Sequence, residues 1–108
     1  MPVQKMTPTE LKNRLDAGEN VLVIDVRNPY ELELSSVEGF KHIEMSEIPD
    51  RINEIPKDQP VVFICRSGNR SLQVANFLVR KGFDNLFNLE GGILAWARDV
   101  DSSLPLNY

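Results

Sequence analysis

One stretch of this chain carries residue types suited to covalent chemistry: Cys65-Arg66-Ser67-Gly68-Asn69-Arg70-Ser71. It holds the only cysteine of the sequence, with two arginines close by. The apolar run Val61-Val62-Phe63-Ile64 precedes it, and a helical pattern from Leu72 to Arg80 follows. The spacing therefore sets the thiol where a strand ends and a helix begins. Free N–H groups converge at such a point, and the helix dipole favours an anion there. A thiol so placed loses its proton more easily, and the thiolate is the nucleophile. Gly68 permits a positive φ, which turns successive N–H groups inward. Arg66 and Arg70 offer paired donors for sulfonate, sulfate or phosphate oxygens. Ser67, Asn69 and Ser71 add neutral donors. These parts suit a thiolate that attacks, holds a group and hands it on.

The elements that must position this loop are legible in outline. Thr7-Pro8-Thr9-Glu10 opens a helix by a capping box with proline in the first turn, Leu11 and Leu15 give its apolar stripe, and Gly18 ends it. Val21 to Ile24 is a buried strand that ends at Asp25-Val26-Arg27. Pro29 to Leu34 starts a short helix, and Lys41 to Met45 is a candidate short strand. Ser46 is expected to cap a helix through Ile55, with Ile48, Ile52 and Ile55 inward. Val61 to Ile64 is the second strong strand. Ser71 to Lys81 is a helix ended by Gly82, Leu86 to Leu89 a third strand, Gly91-Gly92 a turn and Ile93 to Arg98 a last helix. The tail from Asp99 to Tyr108 shows no periodicity. This alternation argues for a mostly parallel sheet with helices on both faces. Ligands of such sheets bind beyond the carboxyl ends of strands. Asp25-Val26-Arg27 and Cys65 both lie at such ends, so they are expected on one rim.

Length and charge narrow the options. A chain of 108 residues suits one domain spanning 1–108, which buries about two-thirds of its unfolded surface. A formal net charge of −4 gives no electrostatic case for nucleic acid. The basic spot near Cys65 on an acidic protein points to a small anionic substrate. One cysteine forms no internal disulfide, and a cytoplasmic setting fits. The first residues lack the apolar segment of a signal peptide, and no apolar stretch nears ~20 residues, so no membrane role is expected. His42 is the only histidine, and no cluster of metal ligands occurs, so no metal is expected.

The loop resembles the active-site loop of single-domain rhodaneses, Cys-Arg-Ser-Gly-x-Arg-Ser. Asp25-Val26-Arg27 with Glu31 is similar to that family's Asp-Val-Arg-x-x-x-Glu signature, and Gly91-Gly92 with Trp96 to its Gly-Gly-x-x-x-Trp signature. The segment Val100 to Pro105 is also similar to the end of rhodanese domains fused to molybdopterin-synthase-activating enzymes. The resemblance implies a three-layer α/β/α fold with a mostly parallel sheet of about five strands. It implies a sulfurtransferase in which Cys65 becomes a persulfide whose outer sulfur the loop amides cradle. Phosphatases on this fold have one more residue between cysteine and arginine, so the shorter loop favours a sulfur atom over a phosphoryl group. The sequence departs from the family at Ser35-Ser36-Val37 and Glu38-Gly39-Phe40, where most members have Gly-His-Ile and then Pro-Gly-Ala.

The expected site is therefore catalytic Cys65, with Arg66, Ser67, Gly68, Asn69, Arg70 and Ser71 binding substrate and Asp25 and Arg27 in support. Asp25 is expected to brace its loop, with orienting Arg27 or holding loop amides as the alternative, and Arg27 is expected to pair with Glu31 across one helical turn. The expected partner is an anionic sulfur donor such as thiosulfate, or a persulfide-bearing protein such as a cysteine desulfurase. Two alternatives stand beside sulfur transfer: an interaction module on the rhodanese fold, and a cysteine-based phosphatase or arsenate-reductase-like enzyme.

Overall fold

The computed structural model describes residues 3–108. Its strands are β1 (Gln4–Met6), β2 (Leu22–Asp25), β3 (Lys41–His42), β4 (Val61–Ile64) and β5 (Leu86–Leu89). Its α-helices are α1 (Pro8–Asp16), α2 (Pro29–Leu34), α3 (Asn69–Val79) and α4 (Gly92–Asp99), and a 3₁₀ segment covers Met45–Glu54. The five strands form one sheet in the order β1-β5-β4-β2-β3, and every pairing is parallel.

Alternation along the two central strands sorts the core into two layers. Val61 and Phe63 of β4 pack with Ile48, Ile55, Val74 and Leu78, from the 3₁₀ side and α3. Val62 and Ile64 turn to the other face and meet Met6, Leu11, Ile93 and Trp96, under α1 and α4. Both strands are buried on both faces, which explains their unbroken apolar runs. Helix α1 begins as its sequence requires: the Glu10 amide donates to Thr7 Oγ1 at 3.2 Å, and the Thr7 amide donates to the Glu10 carboxylate.

The elements differ from expectation in four places. Strand β1 was not foreseen; it is a three-residue edge strand in which only Met6 is buried, so it carries no apolar run. The segment expected as a helix from Ser46 is a 3₁₀ segment capped by Glu44 and broken at Arg51, whose φ of −118° is not helical. Within it Ile48 is buried, as is Ile55 at its end, while Ile52 is half-buried. Helix α3 starts at Asn69, two residues before Ser71, with Gly68 as its N-cap. Strand β3 holds only Lys41 and His42 of the candidate range, although Ile43 and Met45 still donate to the carbonyls of Asp25 and Val26.

The strand order fixes the position of the loop. β2 and β4 are neighbours in register, with Asp25 opposite Ile64. The chain leaves these two strands in opposite directions across the sheet, one toward β3 and the other toward β5. Asp25 and Cys65 thus share one rim at the point where strand order reverses, where such sheets open a crevice.

Candidate active site

Cys65 follows directly on β4 and is 1% exposed. Its Sγ accepts a hydrogen bond from the Gly68 amide at 3.1 Å and lies 3.3 Å from the Ser71 hydroxyl. Gly68 makes the first contact possible, because its φ of +109° is open to glycine and strained for other residues. The loop is also gripped from outside. The amides of Ile93 and Leu94, in the first turn of α4, donate to the carbonyls of Cys65 and Arg66 at 2.8 and 3.2 Å. That approach demands Gly92: a Cβ there would fall 2.5 Å from both carbonyl oxygens.

Ser71 and Asn88 form a support beneath the sulfur. The Ser71 hydroxyl donates to Asn88 Oδ1 at 2.5 Å, and Asn88 Nδ2 donates to the Gly68 carbonyl at 3.0 Å. A hydroxyl has one hydrogen. Ser71 can give it to Asn88 while a Cys65 thiol donates to Ser71, or turn it to the sulfur once the thiolate forms. Asn88 went unnoticed in the sequence; its signal is a polar residue within the apolar run Leu86-Phe87-Asn88-Leu89.

The pairing of charges corrects one expectation. Arg27 does not pair with Glu31. Arg27 is wholly buried and folds back onto Asp25, with Nε at 3.0 Å from both carboxylate oxygens and Nη2 at 2.7 Å from Oδ2. Asp25 Oδ1 also accepts from the Arg27 amide, so Asp25 braces its loop and orients the arginine together. Nη2 of Arg27 further donates to the Ser35 carbonyl, and Nη1 to the Tyr108 hydroxyl. Burial works to lower the Arg27 pKa, but its bonds and proximity to Asp25 prevail and it lies above the ordinary value. The physical reason for the correction is cost: a guanidinium without solvent needs a carboxylate within reach, and Asp25 is the nearer one.

Glu31 is left for the loop. Its carboxylate accepts from Arg70 Nη1 at 2.6 Å and Nη2 at 2.9 Å, and from the Asn28 amide. The Arg70 bonds lower the Glu31 pKa to about 2 against the opposing effect of burial. The same bonds push the Arg70 guanidinium further above its ordinary value. Arg66 has no carboxylate partner among the described residues; its guanidinium lies over the Tyr108 ring, 5.2 Å from the centroid. The side chains of Ser67 and Asn69 are exposed and make no hydrogen bond among the described residues. His42 lies outside the loop, with Nε2 2.7 Å from the Arg27 carbonyl. Trp96 is a core residue, edge-on to Phe40.

Comparison with known proteins bears on this arrangement. The family model described as "Rhodanese-like domain" matches residues 7–99. A "Sulfurtransferase" of Allochromatium vinosum is 42% identical over 96 residues, covering 89% of this chain and 90% of that protein. The "Thiosulfate sulfurtransferase GlpE" of Pseudomonas fluorescens is 33% identical over 78 residues, 72% of each chain. Among solved structures, a rhodanese-like domain protein from Staphylococcus aureus superposes with a TM-score of 0.83 at 33% identity, covering 98% of this chain and all of that one. No helix among the described residues is long and apolar enough to cross a membrane.

Proposed function

This chain belongs to the rhodanese-like domain family, and from that premise we propose that it moves sulfane sulfur as a persulfide on Cys65. The observation that carries the reading is the cradle around Sγ: the Gly68 amide at 3.1 Å, the Ser71 hydroxyl at 3.3 Å and two arginines on the same loop. The Gly68 amide, already aimed at the sulfur, stabilises negative charge there without reorganising, and the Ser71 hydroxyl can turn its one hydrogen to the thiolate.

In the first half-reaction the Cys65 thiolate attacks the outer sulfur of thiosulfate. A Sγ–S bond forms, the S–S bond of the donor breaks, and sulfite leaves with the electron pair. In the second, a nucleophile such as cyanide or a thiolate attacks the outer sulfur of the persulfide. The Cys65 thiolate then departs with the bonding pair and is ready for another cycle. A protein persulfide, such as that of a cysteine desulfurase, can replace thiosulfate in the first step with its own thiolate as leaving group. Arg66 and Arg70 favour an anionic donor, and the group is carried by the protein without a cofactor. Gly68 and Ser71 hold the sulfur, Ser67 and Asn69 face the entering substrate, and Asp25 and Arg27 set the neighbouring loop.

The test is intact-protein mass spectrometry after incubation with thiosulfate and then with cyanide, on wild type and Cys65→Ser. One added sulfur atom on wild type alone, discharged as thiocyanate, is the expected result. If thiosulfate and a loaded cysteine desulfurase both leave the mass unchanged, the reading fails.

A further inference from the structure

Tyr108 lies about forty positions from the loop in sequence, yet it touches Arg27 and Arg66 directly and meets Glu31, the partner of Arg70. Its hydroxyl accepts from Arg27 Nη1 at 2.7 Å and donates to Glu31 Oε2 at 3.2 Å, the carboxylate that holds Arg70. Its ring lies under the Arg66 guanidinium at 5.2 Å and near that of Arg27 at 5.7 Å. A continuous run of hydrogen bonds therefore links Asp25, Arg27, Tyr108, Glu31 and Arg70.

The tail that delivers Tyr108 is built to do so. The amides of Val100 and Asp101 donate to the Trp96 carbonyl, ending α4. Asp101 Oδ1 then accepts from the amide and hydroxyl of Ser103, and the Leu104 amide donates to the Asp101 carbonyl. Val100, Leu104 and Tyr108 all pack on the core layer under α1 and α4. The tail is anchored at every fourth residue.

We propose that Tyr108 is the positioning residue for the two loop arginines, setting Arg66 by its ring and Arg70 through Glu31, so that an anionic donor meets both guanidinium groups already in place. The choice of thiosulfate as donor rests on the sulfurtransfer reading above; the placement of the arginines does not.

The experiment separates the two. Cys65 is alkylated at one pH with iodoacetate, an anion, and with iodoacetamide, its neutral counterpart. Both react with the thiolate, so the ratio of rates cancels its population and reports the pull of the arginines. Wild type is expected to favour iodoacetate relative to free cysteine. Tyr108→Phe, which keeps the ring and loses the hydroxyl, should lower that preference about two- to fivefold, the size of one lost hydrogen bond. Tyr108→Leu should lower it further, and Arg66→Ala should cost less of the preference in Tyr108→Leu than in wild type, because the two share one interaction. The Nε–H resonances of Arg66 and Arg70 give a reading free of reactivity: Arg66 should lose its ring-current shift in Tyr108→Leu, and Arg70 should move in both variants. With thiosulfate, the same variants should raise KM more than they lower kcat. Wild-type selectivity with unmoved arginine resonances in both variants overturns the proposal. A wild type that forms no persulfide removes the sulfurtransfer reading and leaves the alkylation ratio and resonances to decide the role of Tyr108.

Discussion

Glu31 and Arg70, thirty-nine residues apart in sequence, are joined by two parallel hydrogen bonds of 2.6 and 2.9 Å. The pair ties α2 to the first turn of α3. It fixes the loop arginine while leaving that side chain about one-third exposed. The Arg66 side chain, by contrast, is held among the described residues by stacking on Tyr108.

Arg70→Ala should therefore harm transfer more than Arg66→Ala. The first substitution strands a buried carboxylate, which costs about 2–4 kcal/mol of stability, and removes a charge near Sγ. The second removes a charge without orphaning a partner and should lower the rate roughly tenfold. Rates of persulfide formation and urea midpoints on both variants check the order; equal losses would contradict it.

The same pair makes stability fall in acid. The folded-state pKa of Glu31, about 2, lies below its ordinary 4.5, so its contribution is fully present above about pH 4.5 and is lost as pH falls toward 2. Urea unfolding of wild type and Glu31→Gln should show the two stabilities converging by about 2–3 kcal/mol over that window. Parallel curves would show that the carboxylate carries no such coupling.

Cys65→Ser should abolish transfer and leave the fold within about 1 kcal/mol of wild type, since the change is nearly isosteric. The natural comparison is far-UV circular dichroism beside sulfur release to cyanide. Retained turnover would remove the central role of this thiol.

Much of this arrangement was visible in the residue pattern, and the gaps have physical causes. β4 could be read because burial on both faces makes its run Val61 to Ile64 continuous. Placing Asp25 beside the cysteine needed only the rule that strand ends of a parallel sheet share a rim. Partner choice is undecided in the sequence for Arg27 and hidden for Glu31. Arg27 has acidic residues at two and four positions away, and helical spacing favoured Glu31. The structure turns Arg27 inward, where Asp25 meets it, and frees Glu31 for a residue no local rule could connect to it. Tyr108 stayed hidden for the same reason, since the tail has no repeat and only tertiary contact gives it a role.

Gly92→Ala should damage the loop rather than α4. A methyl group there meets the Cys65 and Arg66 carbonyls, and the φ of +60° is strained for alanine. A loss above about 2 kcal/mol in stability, with slower persulfide formation, is expected. Wild-type midpoints and rates would show that the carbonyls can yield.

The grip of α4 on the loop also sets an order of events during synthesis. The ribosome releases Cys65 well before Ile93 and Leu94, whose amides hold its carbonyl and that of Arg66. Strand β1 likewise waits for β5 to pair with it. A nascent chain that has emerged only through α3 thus carries its thiol on a loop with neither clamp nor finished sheet. The finished loop arrives only with the last quarter of the sequence, so a stalled or truncated product is expected to show no persulfide after thiosulfate even if the full chain does.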